Sequence, residues 1–214
     1  MFNLYKIPRL PRKLGKIYYK YWNRFIFRIN KITFGKNMQI YNQFYLIKHP
    51  TANISIGDNF EFTSGEAFNP LCRNIRGCIY ACENAIIKIG NNVGISSACL
   101  WAKEKIEIGK NVKIGGDCIL MDTDAHTLDF RIRNSGQTDD KGEAIDTILA
   151  NSKPIIIEDD VLIGTRCIIL KGVTIGARSI IGSGSIVTKS IPNDCIAAGN
   201  PCKVIKHINS TQYK

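Results

Sequence analysis

Residues 1–57 contain no aspartate or glutamate, yet they carry eleven lysines and arginines. From Asp58 onward eighteen basic and eighteen acidic residues cancel, so the whole net charge of +11 belongs to the N-terminal segment. Cations confined to one segment, with no recognition motif beside them, argue against a nucleic-acid-binding protein. No apolar run approaches the ~20 residues that a bilayer-crossing helix needs. The N-terminus has no apolar stretch of the secretory kind. The expectation is therefore a cytoplasmic chain. Histidine is scarce, with His49, His126 and His207 the only three. Helical patterns of roughly 10–15 residues are missing between the short apolar runs of the second half, which argues against an ordinary α/β sheet.

What is present is a ladder. Ile157, Ile163, Ile169, Ile175, Ile181 and Val187 recur every six residues. No helix or ordinary strand repeats at six, whereas a chain that turns a corner every six residues does, and stacked coils bury the repeated aliphatic in a shared core. The same spacing joins Ile89, Ile95 and Trp101, then after one inserted residue Ile108, Ile114 and Leu120. Fainter rungs lie at Phe34, Ile40 and Leu46, and at Ile56 and Phe62. Glycine often follows the rung, as at Gly57, Gly109 and Gly164, where a corner with positive φ suits it. A small or aliphatic residue four after the rung, such as Cys99, Cys118, Cys167 or Val173, is expected to point inward too. Three of the eight cysteines are thereby read as packing residues. Cys72, Cys78 and Cys82 follow no zinc spacing, and no metal is expected.

The division that follows is residues 1–33 as a basic amphipathic helical segment, 34–200 as the coil, and 201–214 as a tail. Leu14, Tyr18, Tyr21, Phe25 and Ile29 share one face of the predicted helix. Arg12, Lys16, Lys20, Arg24 and Arg28 repeat every fourth residue beside them. Such a helix is expected to cap the open end of the coil, whose strand edges need covering. Residues 12–31 also suit peripheral contact with an anionic membrane face.

The ladder breaks once in its second half, over residues 121–154. A loop of about 30 residues inside a regular coil is uncommon and often functional. This one opens with Asp122-Thr-Asp-Ala-His-Thr-Leu-Asp129 and spans 127–153 as a flap or surface arm. His126 thus has three carboxylates within four residues. An imidazole can accept a proton at neutral pH, and a neighbouring carboxylate can orient it. Asp124 and Asp129 are both candidates for that carboxylate. His49 and His207 lie far along the stack, so a three-histidine zinc site of the carbonic anhydrase kind is disfavoured.

The stretch from Val161 to Ile208, ending in Ala198-Gly-Asn-Pro-Cys-Lys-Val-Ile205, closely resembles the C-terminal half of hexapeptide-repeat acyltransferases, the group of the galactoside, maltose and serine O-acetyltransferases. The DTDAH segment is similar to the polysaccharide and lipopolysaccharide O-acetyltransferase branch. The resemblance covers about residues 85–208. It implies an all-β fold, a left-handed parallel β-helix, and a homotrimer with sites in clefts between subunits. It implies transfer of an acetyl group from acetyl-coenzyme A to a saccharide hydroxyl, with His126 as general base and Asp124 beside it. N-acetylation of an amino sugar uses the same fold and donor, and a non-catalytic scaffold is the remaining class. The acceptor side is expected to involve Ser96, where relatives place an asparagine, and Asp129. The coenzyme is expected along Gly164, Thr165, Gly182, Ser183 and Thr188, with Lys203 and Lys206 toward its phosphates. Leu162 stands where many relatives carry a tryptophan beside the coenzyme.

Overall fold

A computed structural model describes residues 10–65, 69–72 and 75–208. The outer ends of the predicted terminal segments, and the side chains of Arg12 and Lys16, lie outside the described residues. Beyond the first helix the chain winds into a three-sided prism, and successive short strands join successive sides. The three sheets hold six, eight and six strands. Among the described residues the strands of successive coils pair in parallel, and the strands of the closing hairpin, Cys195–Gly199 with Cys202–His207, pair antiparallel.

The six-residue ladder becomes three columns. The first side stacks Phe34, Ile56, Ile89, Ile108, Ile157 and Ile175. The second stacks Ile40, Phe62, Ile95, Ile114, Ile163 and Ile181. The third stacks Leu46, Ile79, Leu100, Leu120, Ile169 and Val187. Apart from the partly buried Phe34 and Leu46, these side chains are buried. Each contributes about 1.5–3 kcal/mol of apolar burial.

One rung differs from the sequence expectation. Leu100 and Ala98 face the core, while Cys99 and Trp101 are half-buried on the outside of the third sheet. The cause is a shorter corner. Ser97 takes the left-handed backbone two residues after Ile95, whereas Asp117 and Arg166 in the next coils take it three residues after their rungs. A one-residue shift in a strand turns every side chain to the opposite face. Trp101 consequently stacks outside on Tyr80, ring centroids 5.3 Å apart. Cys118 and Cys167 are buried, as their spacing predicts.

The glycines after the rungs have a different reason from the one expected. Positive φ falls three residues after the rung, at Asn37, Asn59, Asn92, Asn111, Asp160 and Arg178. Gly109 is required by close approach instead, since a Cβ there would lie 2.8 Å from the backbone nitrogen of Asp159 in the next coil. The left-handed asparagines form their own ladder. Asn59 donates to Asn92 at 2.8 Å, Asn92 to Asn111 at 3.0 Å, and Asn111 to Asp160 at 2.8 Å. Asparagine tolerates this backbone better than other non-glycine residues, and its amide gives and accepts along the stack.

Helix α1, Leu10–Ile29, covers the open end of the coil. It does so with Asn23 and Phe27 rather than with its aromatic face. Asn23 donates to the carbonyls of Ile40 at 3.0 Å and Asn42 at 3.2 Å. Phe27 packs edge-on against Phe34 and Phe44. The face of Leu14, Tyr18, Tyr21, Phe25 and Ile29 is more than half exposed at every position. The face that docks supplies donors to exposed strand carbonyls, Asn23 as above and Arg24 to the Met38 carbonyl at 3.1 Å. Lys31 ends the helix with φ 55°, and Ile32 N–H closes back on the Phe27 carbonyl at 2.9 Å, a Schellman stop.

Candidate functional site

The long loop leaves the third side after Ile119–Met121 and returns at Ile155–Ile157 on the first side. Its base is tied by Asp122, which is fully buried. That carboxylate accepts backbone N–H bonds from Lys103 at 2.7 Å, Glu104 at 2.8 Å and Lys105 at 2.6 Å. Burial nonetheless pushes its carboxyl above the usual range, outweighing the three donors. The Asp122 carbonyl accepts Lys153 N–H at 2.9 Å, joining the outgoing and returning strands. Two short helices lie within the loop, α2 at Phe130–Arg133 and α3 at Ile145–Ile148.

His126 stands just past this base, after Ala125 in left-handed backbone. The carboxylate on its ring comes from α3. Asp146 Oδ2 lies 2.5 Å from His126 Nδ1, and Asp146 Oδ1 accepts Thr127 N–H at 2.8 Å. The imidazole is 61% exposed while the Asp146 side chain is 13% exposed, so a sheltered acid backs an accessible ring. The His126 hydrogen bond first, then the Thr127 N–H, hold the Asp146 carboxyl below the ordinary carboxylate range. Lys103 fixes α3 from below. Its ammonium donates to the carbonyls of Thr147 at 2.7 Å, Ile148 at 2.8 Å and Ala150 at 2.7 Å. A cation at carbonyls near the end of α3 also complements their partial negative charge. Arg133 on α2 donates to the Thr127 carbonyl at 2.8 Å.

Neither carboxylate near His126 in sequence takes the orienting position. Asp124 pairs with Lys171 at 2.5 Å, and its second oxygen is buried without a hydrogen-bond partner among the described residues. Asp129 caps α2 through Arg131 N–H at 2.9 Å and holds the Arg131 guanidinium. Both are drawn away by partners that sequence proximity to a histidine does not reveal. Asp146 is twenty residues downstream, inside the non-repeating stretch, and only the folding of the loop brings it back.

A groove of about 400 Å³ runs over the second side. Ser96, Gly164, Thr165 and Ser183 line it together, with Leu162, Lys113 and Glu61. Asn69 and Leu71, from an excursion of the chain between the second and third sides, form one wall. That wall is not legible in the sequence, because residues outside the ladder carry no periodic signal. Ser96 accepts a hydrogen bond from Thr63 at 3.1 Å, and Thr165 donates to the Gly116 carbonyl at 2.5 Å. Gly164 is required by the coil itself, since its Cβ would lie 2.5 Å from Ser183 N. Gly182 is held small by Ala198 in the same way. Lys203 and Lys206 are exposed on the last strand, at the edge of this same sheet. Thr188 lies elsewhere, just past the last strand of the third side. His126 also departs from the third side, so one face of the prism separates it from the groove of its own chain.

By repeat and by fold, the coil is similar to hexapeptide-repeat acetyltransferases, and its three parallel sheets match the left-handed parallel β-helix of those proteins. Residues 154–189 match the hexapeptide repeat of succinyl-transferase. The galactoside O-acetyltransferase of Escherichia coli K12 is 41% identical over 104 residues, 49% of this chain and 45% of that protein. The chain spans about half the length of the curated relatives it matches, 44% and 56% for two others. AntD, an N-acyltransferase from Bacillus cereus solved with dTDP-4-amino-4,6-dideoxyglucose and coenzyme A, superposes with a TM-score of 0.66 at 20% identity over 89% of this chain and 91% of its own. A hexapeptide-repeat acetyltransferase from Vibrio cholerae, complexed with acetyl-coenzyme A, gives a TM-score of 0.54 at 23% identity over 89% and 79%. At these identities the two structures speak for the fold alone.

Proposed function

We propose that the protein transfers an acetyl group from acetyl-coenzyme A to a hydroxyl of a saccharide, with His126 as general base. The observation that carries this reading is the exposed His126 ring backed by the sheltered Asp146. With Nδ1–H given to Asp146, Nε2 keeps the lone pair that can take a proton. The acceptor hydroxyl loses its proton to Nε2 as its oxygen attacks the thioester carbonyl. The tetrahedral oxyanion then collapses, the C–S bond breaks, and the imidazolium returns the proton to the leaving thiolate. Asp146 steadies the imidazolium between the two steps. No covalent enzyme intermediate is needed when both substrates are held together.

The groove on the second side suits the coenzyme, with Lys203 and Lys206 at the end of its sheet. Its separation from His126 around the prism supports a site shared between subunits, one giving the histidine and its neighbour the groove. The third sheet presents Tyr45, Ile47 and Ile119 outward, an apolar face that suits the homotrimer implied by the resemblance. The galactoside relative favours a hydroxyl acceptor. A second reading is N-acylation of an amino sugar, the class of reaction for which AntD is named, which a shared fold does not separate from the first.

The test is acetyl transfer to two panels, neutral saccharides and amino sugars, by the wild type and by His126→Ala. Hydroxyl acetylation that falls on the order of 10²–10⁴-fold in the variant supports the proposal. Transfer to amines alone establishes the second reading. Transfer that is unchanged in His126→Ala removes His126 from the chemistry.

A further inference from the structure

We propose that α1 is a docking surface for an anionic lipid bilayer. On a helix of 3.6 residues per turn, Leu14, Ile17, Tyr18, Tyr21, Trp22, Phe25 and Ile29 fall within one arc of roughly 140°. All seven are exposed. Asn23 and Phe27, which bury themselves against the coil, project from the opposite side of the helix. The arc therefore points away from the protein that the helix caps. An aromatic and aliphatic arc of this breadth, left open on a helix already seated by its other face, needs an explanation outside the packing of this chain.

Charge names the occupant. Lys20 and Arg28 are exposed along one flank of the arc, with Arg24 between them held to the Met38 carbonyl at 3.1 Å, and no carboxylate occurs before Asp58. A basic flank beside a tyrosine- and tryptophan-bearing arc is the chemistry of a helix lying in the headgroup region, with rings at the interface and cations toward anionic phosphates. The helix is not long and apolar enough to cross a membrane, so it lies on the surface. Two copies packed arc to arc would bring two acid-free basic flanks together, a like-charge juxtaposition that opposes self-association. A lipid surface accepts both the apolar arc and the cations at once.

The experiment uses the full chain with vesicles of phosphatidylcholine alone and of phosphatidylcholine mixed with phosphatidylglycerol. Cosedimentation measures partitioning, and Trp22 emission reports burial of the arc. Two double variants are compared, Tyr21→Glu with Phe25→Glu, and Lys20→Glu with Arg28→Glu. These side chains are exposed, so folding is retained, which thermal melting verifies. The wild type is expected to bind the anionic vesicles at least tenfold more tightly than the neutral ones, with a blue shift and with weakening in salt. The aromatic variant is expected to lose at least tenfold, and the basic variant about fivefold for each cation removed. Equal binding by the wild type and both variants would overturn the proposal, as would no binding to anionic vesicles. A fall in particle mass of the aromatic variant without lipid would also overturn it, by showing that a second copy covers the arc.

Discussion

A histidine gains direction as a base from whatever holds its other nitrogen. Here that is Asp146, and its removal can be separated from loss of the acid next to His126 in sequence. Asp146→Asn is expected to lower turnover by roughly 10²–10⁴-fold with coenzyme affinity unchanged, because the amide no longer fixes the tautomer. Asp124→Asn is expected to act on stability more than on rate, since it strands Lys171 partly buried without its partner. Steady-state kinetics beside thermal melting of the two variants checks both statements. The acidity of Asp146 also has a signed consequence. Its carboxyl is held below the ordinary carboxylate range, so its contribution to holding the loop is complete above the unfolded value of about 3.9 and is lost only as pH falls through the lower folded value. Limited proteolysis of residues 127–153 is expected to show protection at neutral pH that persists to below pH ~4. Loss of protection already near neutral pH would contradict this role.

At the scale of elements, the loop is a clamp as well as an insertion. Lys103 reaches from the end of one strand to three carbonyls at the end of α3, and α3 carries Asp146. Lys103→Met is expected to lower kcat about tenfold or more without abolishing coenzyme binding, with partial rescue by Lys103→Arg. Gly109→Ala tests the coil instead. Its Cβ would meet the next coil's backbone, so unfolding by denaturant is expected to show a loss of about 1–3 kcal/mol. These elements also show what sequence can and cannot carry. The columns of aliphatics were legible because parallel stacking repeats one environment every coil. Trp101 was placed inside because a corner one residue shorter, at Ser97, leaves no mark in the spacing until the next coil resumes it. The aromatic face of α1 was legible, but periodicity finds a face and not which way it looks. Asp146 was missed because contacts made across a non-repeating loop depend on its folded path.

For the molecule as a whole, the proposed function makes the groove on one side of the prism and the histidine leaving another two half-sites. If neighbouring subunits complete them, mixing inactive His126→Ala chains with chains whose groove is blocked by Thr165→Trp should restore part of the activity in mixed oligomers, while each variant alone stays inactive. Failure of any mixture to recover activity, with mixed oligomers demonstrated by mass, would place the whole site within one chain. The central claim, that this coil binds acetyl-coenzyme A and directs it with His126, is met most directly by titrating acetyl-coenzyme A into the wild type and His126→Ala in a calorimeter while following thiol release. The account predicts binding to both proteins with similar affinity and slow thioester cleavage in the wild type only. No binding to either protein would contradict it and leave a hexapeptide-repeat coil without the transferase chemistry.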